Sequence, residues 1–192
     1  MNEAVRARVR ADDAVVVLVD MQERLASAMP RRDETVRAAR LLGRAAAPFG
    51  IPVIVTRQYP AGLGDTVPEL AAAGGAEQPV DKVAFDCMAE PAFVERLRRT
   101  GRRVMVIAGM EAHICVTQTA LAALDAGYAV HVAADAVCSR RDADRDVALE
   151  RLRTAGAVVT TVESVLYECL GVAGTPVFRE VLALVKEQSP PS

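Results

Sequence analysis

The stretch Val104-Met105-Val106-Ile107-Ala108-Gly109-Met110-Glu111-Ala112-His113-Ile114-Cys115 decides how this chain is read. Its first five residues are uninterrupted and apolar, as a strand buried on both faces requires. Gly109 ends the strand, and Cys115 opens a helical stretch running to about Ala126. A thiol at a strand-to-helix turn lies beside the unpaired N–H groups of the first helical turn. Those donors and the helix dipole favour thiolate, and they can hold a developing oxyanion. By itself Cys115 reads more readily as a structural cysteine of the core. Two other positions change that reading. Asp20 ends the apolar run Ala14 to Val19, and Lys82 lies in the extended segment Val80 to Phe85.

Strands and helices alternate outward from this stretch. Ala14 to Val19 and Ile51 to Val55 read as strands, separated by a helical segment Glu23 to Ala47 that is interrupted near Met29-Pro30. Arg57 to Gly75 is rich in Gly and Pro and reads as a long loop, with a short helix near Val67 to Ala73. Loops of that length inside compact domains usually carry function. A helix with Pro91 in its first turn follows Val80 to Phe85, then the strand Arg103 to Ala108 and the Cys115 helix. Ala129 to Ala134 and Ala157 to Thr161 are further strands around a helix Asp142 to Ala155. Helices Glu163 to Leu170 and Pro176 to Gln188 and a Ser-Pro-Pro-Ser tail complete the chain. The order implies right-handed crossovers and a parallel sheet covered on both faces. Residues 1–192 read as one α/β domain with no internal repeat.

Composition fits this architecture. About half of the 192 residues are apolar, aromatics are scarce, and tryptophan is absent, so the core is built of Val, Leu and Ala. The net charge of −2 gives no argument for a nucleic-acid or membrane surface. Of the basic pairs, Arg31-Arg32, Arg98-Arg99 and Arg102-Arg103 read as solvated faces; the fourth is Arg140-Arg141. Cys87, Cys115, Cys138 and Cys169 match no metal spacing and no small disulfide framework. With no signal peptide or membrane span legible, the expected compartment is the reducing cytoplasm.

Ligands of open parallel sheets bind at the carboxyl ends of the strands. Asp20, Lys82 and the turn to Cys115 all fall there, so three groups distant in sequence converge on one cleft. A thiol attacks a carbonyl carbon only as thiolate, and needs a base, a positive neighbour and oxyanion donors. Asp20 supplies the base and Lys82 the positive charge. Read singly, Asp20 is a helix cap and Lys82 a surface lysine; only their joint placement carries the argument. His113 lies two positions from Cys115, where side chains do not normally face each other, so Asp20 ranks above it as base. His131 reads as a packed residue of its strand.

Three separated segments resemble the isochorismatase-like cysteine hydrolase superfamily. They are Val17-Leu18-Val19-Asp20-Met21-Gln22, Asp81-Lys82-Val83-Ala84-Phe85, and Gly109 to Val116 continuing through Thr119-Ala120, Ala126-Gly127-Tyr128 and Ala134 to Arg140. The turn Gly-Met-Glu-Ala-His-Ile-Cys, with Gln58-Tyr59-Pro60 and Arg151 to Ala157, resembles the isochorismatase domain-containing branch. The resemblance implies a three-layer αβα, doubly wound fold with a six-stranded, mostly parallel sheet. It implies a catalytic set Asp20, Lys82 and Cys115. It also implies a cis peptide between Met110 and Glu111 that aims the N–H groups of Glu111 and Cys115 at one oxyanion.

Two departures narrow the expected chemistry. Nicotinamidases of this superfamily carry an Asp/His metal cluster after the second strand, where this chain reads Thr56-Arg57-Gln58-Tyr59-Pro60. No metal and no other cofactor are therefore expected. True isochorismatases lack the cysteine, so Cys115 favours attack on an amide-type carbon over vinyl-ether hydrolysis. The expected activity is hydrolysis of a non-peptide C–N bond of a small molecule through a thioester. A vinyl-ether hydrolase with Cys115 as spectator and a non-catalytic oligomeric protein are the alternatives. Gln58, Tyr59, Leu25, Phe85 and His113 are the candidate substrate contacts. Phe85 and Leu25 read equally as core. A homo-oligomer, dimer or higher, is expected from the resemblance; the apolar face of Val177 to Val185 reads as a contact with a neighbour or, more often, as the cover of the chain's own sheet.

Overall fold

The computed structural model describes residues 8–72 and 78–188. Residues 73–77, including the end of the short helix expected near Val67 to Ala73, and the tail 189–192 lie outside that description. In chain order, the strand β1 (Ala14–Val19) is followed by helices α1 (Glu23–Ser27) and α2 (Arg32–Phe49) and strand β2 (Val53–Gln58). A four-residue helix α3 (Pro60–Leu63) and one helical turn (Pro68–Leu70) lead to β3 (Val80–Lys82). Then come α4 (Pro91–Arg99), β4 (Val104–Met110), a wide turn (Ala112–Val116) and α5 (Thr117–Asp125). The chain ends in β5 (Ala129–Cys138), α6 (Asp142–Thr154), β6 (Val158–Thr160), α7 (Val162–Leu170) and α8 (Pro176–Gln188).

The six strands form one sheet in the order β3-β2-β1-β4-β5-β6, and every pairing is parallel. The fold is the doubly wound α/β arrangement, with its switch in strand order between β1 and β4. Period-two alternation sorts each strand between two cores. Val16 and Leu18 of β1 pack with Leu42 of α2, Leu166 of α7 and Val181 of α8. Val15, Val17 and Val19 face the other way, with Phe93 and Leu97 of α4, Ala120 of α5 and Leu152 of α6. This double-sided burial explains the unbroken apolar runs in the sequence.

Several elements differ from their expected bounds. The third strand stops at Lys82, and Val83 and Phe85 are exposed. The loop after β2 contains α3, whose first residue is Pro60; its missing N–H suits that position. The largest difference is β5, expected to end at Ala134 and running to Cys138. Its register against β4 passes from Ile107↔Val132 to Gly109↔Val137, so the bulge inserts extra residues on β5. Asp135 lies in that bulge, and its carboxylate accepts the Val162 N–H at the start of α7 at 3.0 and 3.2 Å. A polar residue bound sideways breaks the apolar pattern from which a strand is read. Beyond it β5 resumes, pairing Cys138 with Met110 and carrying Ser139 and Arg140 to the carboxyl rim.

Gly109 sets how closely the two central strands approach. It pairs with Val19 and has φ +145°, in the region that favours glycine. A Cβ placed on it would lie 2.2 Å from the Val19 carbonyl oxygen.

Candidate active site

Three adjacent strands, β3, β2 and β1, each deliver a polar group at the carboxyl edge. Asp20 follows β1 with φ +51°, a left-handed conformation that Asp tolerates better than most residues. Thr56 fixes it from two sides. Its backbone oxygen accepts the Asp20 N–H at 3.2 Å, and its hydroxyl donates to Asp20 Oδ1 at 2.7 Å. The other oxygen, Oδ2, accepts from Lys82 Nζ at 2.6 Å. Both side chains of this ion pair are fully buried. The carboxylate therefore serves no helix cap, the role its sequence position permits.

Lys82 is saturated with acceptors. Besides Asp20, its ammonium faces Gln58 Oε1 at 2.7 Å and the carbonyls of Ala84 and Phe85 at 3.2 and 3.4 Å. Burial pulls its pKa down, but Asp20, with Cys87 and Cys115, more than offsets this and holds it above the ordinary lysine value. Gln58 is buried, with its amide donating to the Val83 carbonyl at 2.7 Å. Gln22 in turn locks the Gln58 backbone. It accepts the Gln58 N–H at 2.7 Å and donates to the carbonyls of Gln58 at 3.1 Å and Gly64 at 2.8 Å.

Cys115 stands opposite this group on the wide turn after β4. The turn follows a cis peptide between Met110 and Glu111. Its hydrogen bonds span five residues, as in Val116 N–H to Glu111 O at 3.3 Å, and Thr117 Oγ1 donates to the Ala112 carbonyl at 2.6 Å. A one-turn widening of this kind is frequent at functional sites. Cys115 is 5% exposed. Its thiol is pushed well above the ordinary cysteine range, first by burial and then by the charge of Asp20; Lys82 opposes these effects only in part.

This direction reverses the expectation that the helix terminus favours thiolate. The sulfur lies within the wide turn rather than in the first α-turn of α5, and the charge of Lys82 is already engaged by Asp20. Burial and the nearby carboxylate thus both favour the neutral thiol. Alkylation of Cys115 should accordingly show no titration inflection between about pH 6 and pH 9. An inflection near neutrality, measured with iodoacetamide across that range, would show that the thiolate forms at rest.

A second thiol lies behind the first. Cys87 is buried, its Sγ is 3.9 Å from the Thr56 hydroxyl, and its N–H donates to Thr119 Oγ1 at 3.0 Å. Burial and Asp20 push its pKa up to about 12. Thr56, Gln22 and Cys87 are the site neighbours that sequence reasoning missed. Only Thr56 left a signal, a hydroxyl at the carboxyl end of a β-branched run.

Residues 14–164 match the Isochorismatase domain family. The chain belongs to that family. It is 42% identical to isochorismatase domain-containing protein 2 of Bos taurus, over 96% of this chain and 89% of that protein. A solved structure described as MAR1 ribonuclease from Caenorhabditis elegans is 36% identical with a TM-score of 0.88, covering 96% of this chain and 95% of the other. The Escherichia coli YcaC product, described as an octameric hydrolase of unknown specificity, is 29% identical with a TM-score of 0.83, covering 95% and 89%. The isochorismatase-like α/β fold expected from the sequence is thus the fold of this chain, and the family is one of hydrolases.

Against this family frame the five candidate substrate contacts separate. Gln58 is engaged at both ends of its amide, by Lys82 and by the Val83 carbonyl. Leu25 packs against the core between the sheet and α2. Phe85 and Tyr59, 52% and 57% exposed, rise at the rim beside Lys82; for Phe85 this replaces the core position it could equally have taken. Tyr59 has φ +38°, and its ring covers Gly62, where a Cβ would lie 2.5 Å from the ring. His113 is engaged on both ring nitrogens. Its Nδ1 lies 2.9 Å from Ser139 Oγ and its Nε2 3.9 Å from Asp144. Among the described residues, no cluster of His, Cys, Asp and Glu is arranged to hold a metal ion, and no helix is long and apolar enough to cross a membrane.

Proposed function

We propose that this family member is a cysteine hydrolase that cleaves a non-peptide C–N bond of a small amide, ureide or carbamoyl compound. One observation carries the reading: a buried carboxylate, held by Lys82 at 2.6 Å and Thr56 at 2.7 Å, lies near enough to the Cys115 thiol to disfavour its thiolate. A base restrained on both oxygens and aimed at a sulfur is arranged for general acid–base work.

In the proposed reaction Cys115 Sγ attacks the carbonyl carbon as its proton passes to Asp20. The turn from Glu111 to Cys115 provides backbone donors for the oxyanion. The C–N bond then breaks, and Asp20 returns the proton to the departing nitrogen, releasing ammonia or an amine. Water attacks the thioester and gives a proton to Asp20. The C–S bond breaks, the sulfur recovers that proton, and the acid leaves. Lys82 stays protonated throughout and prevents Asp20 from holding the proton too tightly.

A panel of small amides, ureides and carbamoyl compounds, assayed for ammonia release, tests the reading. Cys115→Ala should lower turnover at least about a thousandfold with the melting temperature nearly unchanged. Full activity of that variant on a confirmed substrate overturns it. Self-association is part of the proposal, supported by the exposed apolar rim of Tyr59, Val83 and Phe85 and by the octameric YcaC neighbour. Light scattering giving a monomer at micromolar concentration would remove that part.

A further inference from the structure

The basic pairs Arg98-Arg99 and Arg102-Arg103 read from sequence as solvated faces, but the fold draws them together. The first pair lies in the last turn of α4, and the second leads into β4. Both are at the amino edge of the sheet, opposite the catalytic group. There the ends of α4 and α5 and the starts of β4 and β5 border a cavity of about 340 Å³. Arg98, Arg102, Arg103 and Tyr128 line it, and no carboxylate is among its described lining residues. Three guanidinium groups thus share one space in a chain whose net charge is −2.

Arginines at helix ends commonly offset the partial negative charge of the last carbonyls. Here backbone donors already serve those carbonyls. In α4 the Thr100 and Gly101 N–H groups donate to the carbonyls of Leu97 and Arg98 at 3.1 and 3.0 Å. In α5 the N–H groups of Ala126, Gly127 and Tyr128 donate to those of Ala122, Leu124 and Ala123 at 3.0, 2.9 and 3.0 Å. Arg102 is engaged elsewhere, by the carbonyls of Ala11 at 3.3 Å, Gly50 at 3.4 Å and Asp12. Asp13 accepts the Arg103 backbone N–H at 3.1 Å, not its side chain. Among the described residues, the guanidinium groups of Arg98 and Arg103 have no hydrogen-bond or ion-pair partner. Tyr128 stands beside Arg103, because the next residues of the two segments, Val104 and Ala129, are paired in the sheet. Its ring packs on the core beneath α4 and α5.

We propose that this cavity binds the phosphate group of a small phosphate monoester, with the ligand's planar body against Tyr128. Two unpaired guanidinium forks with no competing acid suit a tetrahedral dianion, to which each fork donates paired N–H bonds. A carboxylate would leave one fork unused. The volume is near the lower end for small-molecule sites, so the ligand is of single-nucleotide size or smaller. The site is separate from the reaction proposed above. The seven residues of β4 lie between Arg103 and Glu111, roughly 25 Å at the usual rise of a strand.

Equilibrium dialysis of the full chain against labelled adenosine monophosphate tests the assignment, with adenosine and inorganic phosphate as competitors. The monophosphate should bind with a Kd of about 1 mM or below, and added salt should weaken it. Inorganic phosphate should displace it, and adenosine should do so at least about tenfold less well than unlabelled monophosphate. Arg98→Gln and Arg103→Gln, both at exposed positions, should each raise the Kd about fivefold or more. Arg141→Gln, at the opposite rim, should leave it unchanged. Alkylation of Cys115 with iodoacetamide beforehand should also leave it unchanged. Adenosine competing as well as its monophosphate, or Arg103→Gln binding like the unmodified protein, overturns the assignment. So does loss of binding on alkylation, which would move the ligand to the catalytic cleft, or no binding up to about 10 mM.

Discussion

Lys82→Met is expected to lower the melting temperature by roughly 10 °C at neutral pH. The substitution leaves the Asp20 carboxylate buried with only the Thr56 hydroxyl and neighbouring N–H groups around it. Removing one member of a buried ion pair costs about 3–5 kcal/mol, because the remaining charge is uncompensated. For a chain of this size each kcal/mol shifts the melting temperature by about 2–4 °C. The double variant Asp20→Asn with Lys82→Met should recover most of the lost stability, as both charges are gone and Asn also tolerates φ +51°. It should recover no turnover. Thermal unfolding of the two single variants and the double variant forms a complete cycle. Strict additivity of the losses would show that the pair is not coupled, and the account of the site would fall with it.

Gly109→Ala is expected to prevent folding or to cost more than about 3 kcal/mol, the range for overpacking combined with a disallowed backbone. The added carbon would sit 2.2 Å from the Val19 carbonyl oxygen and 2.7 Å from the Val19 Cβ, and neither belongs to a flexible side-chain end. Relief would require β4 to separate from β1 at the point where Asp20 and the nucleophile turn diverge. Gly101→Ala is the matched control. It also has positive φ, +66°, but nothing lies within 4 Å of its added Cβ, so only the backbone term of about 1 kcal/mol applies. Urea midpoints of the two variants should differ widely. Equal midpoints would mean that the close approach of the central strands is not what Gly109 serves.

The legibility of the site followed from how far each feature depends on the third dimension. Asp20 and Lys82 were visible because a parallel sheet carries its polar residues at strand ends, and an apolar run ending in Asp announces such an end. Gln58 was visible as a polar residue near the site, and in the structure its amide oxygen faces Lys82. Whether a side chain at a strand end faces a ligand or a neighbouring lysine depends on the register of β2 against β3, which pairs Gln58 with Lys82. Phe85 and Leu25 could each be core or site, and apolar residues in short segments carry no mark that separates those outcomes.

The chain by itself determined the alternation of strand and helix, the double-sided burial that makes the sheet parallel, and the polar residues at its carboxyl rim. These are local matters of residue type and period. The tertiary structure alone decided the direction of the Cys115 pKa, because desolvation and the nearness of Asp20 are properties of space. It alone decided that β5 continues past its bulge to bring Ser139 and Arg140 against the nucleophile turn. That contact joins residues 111 and 140, and no pattern within either segment encodes a hydrogen bond to the other.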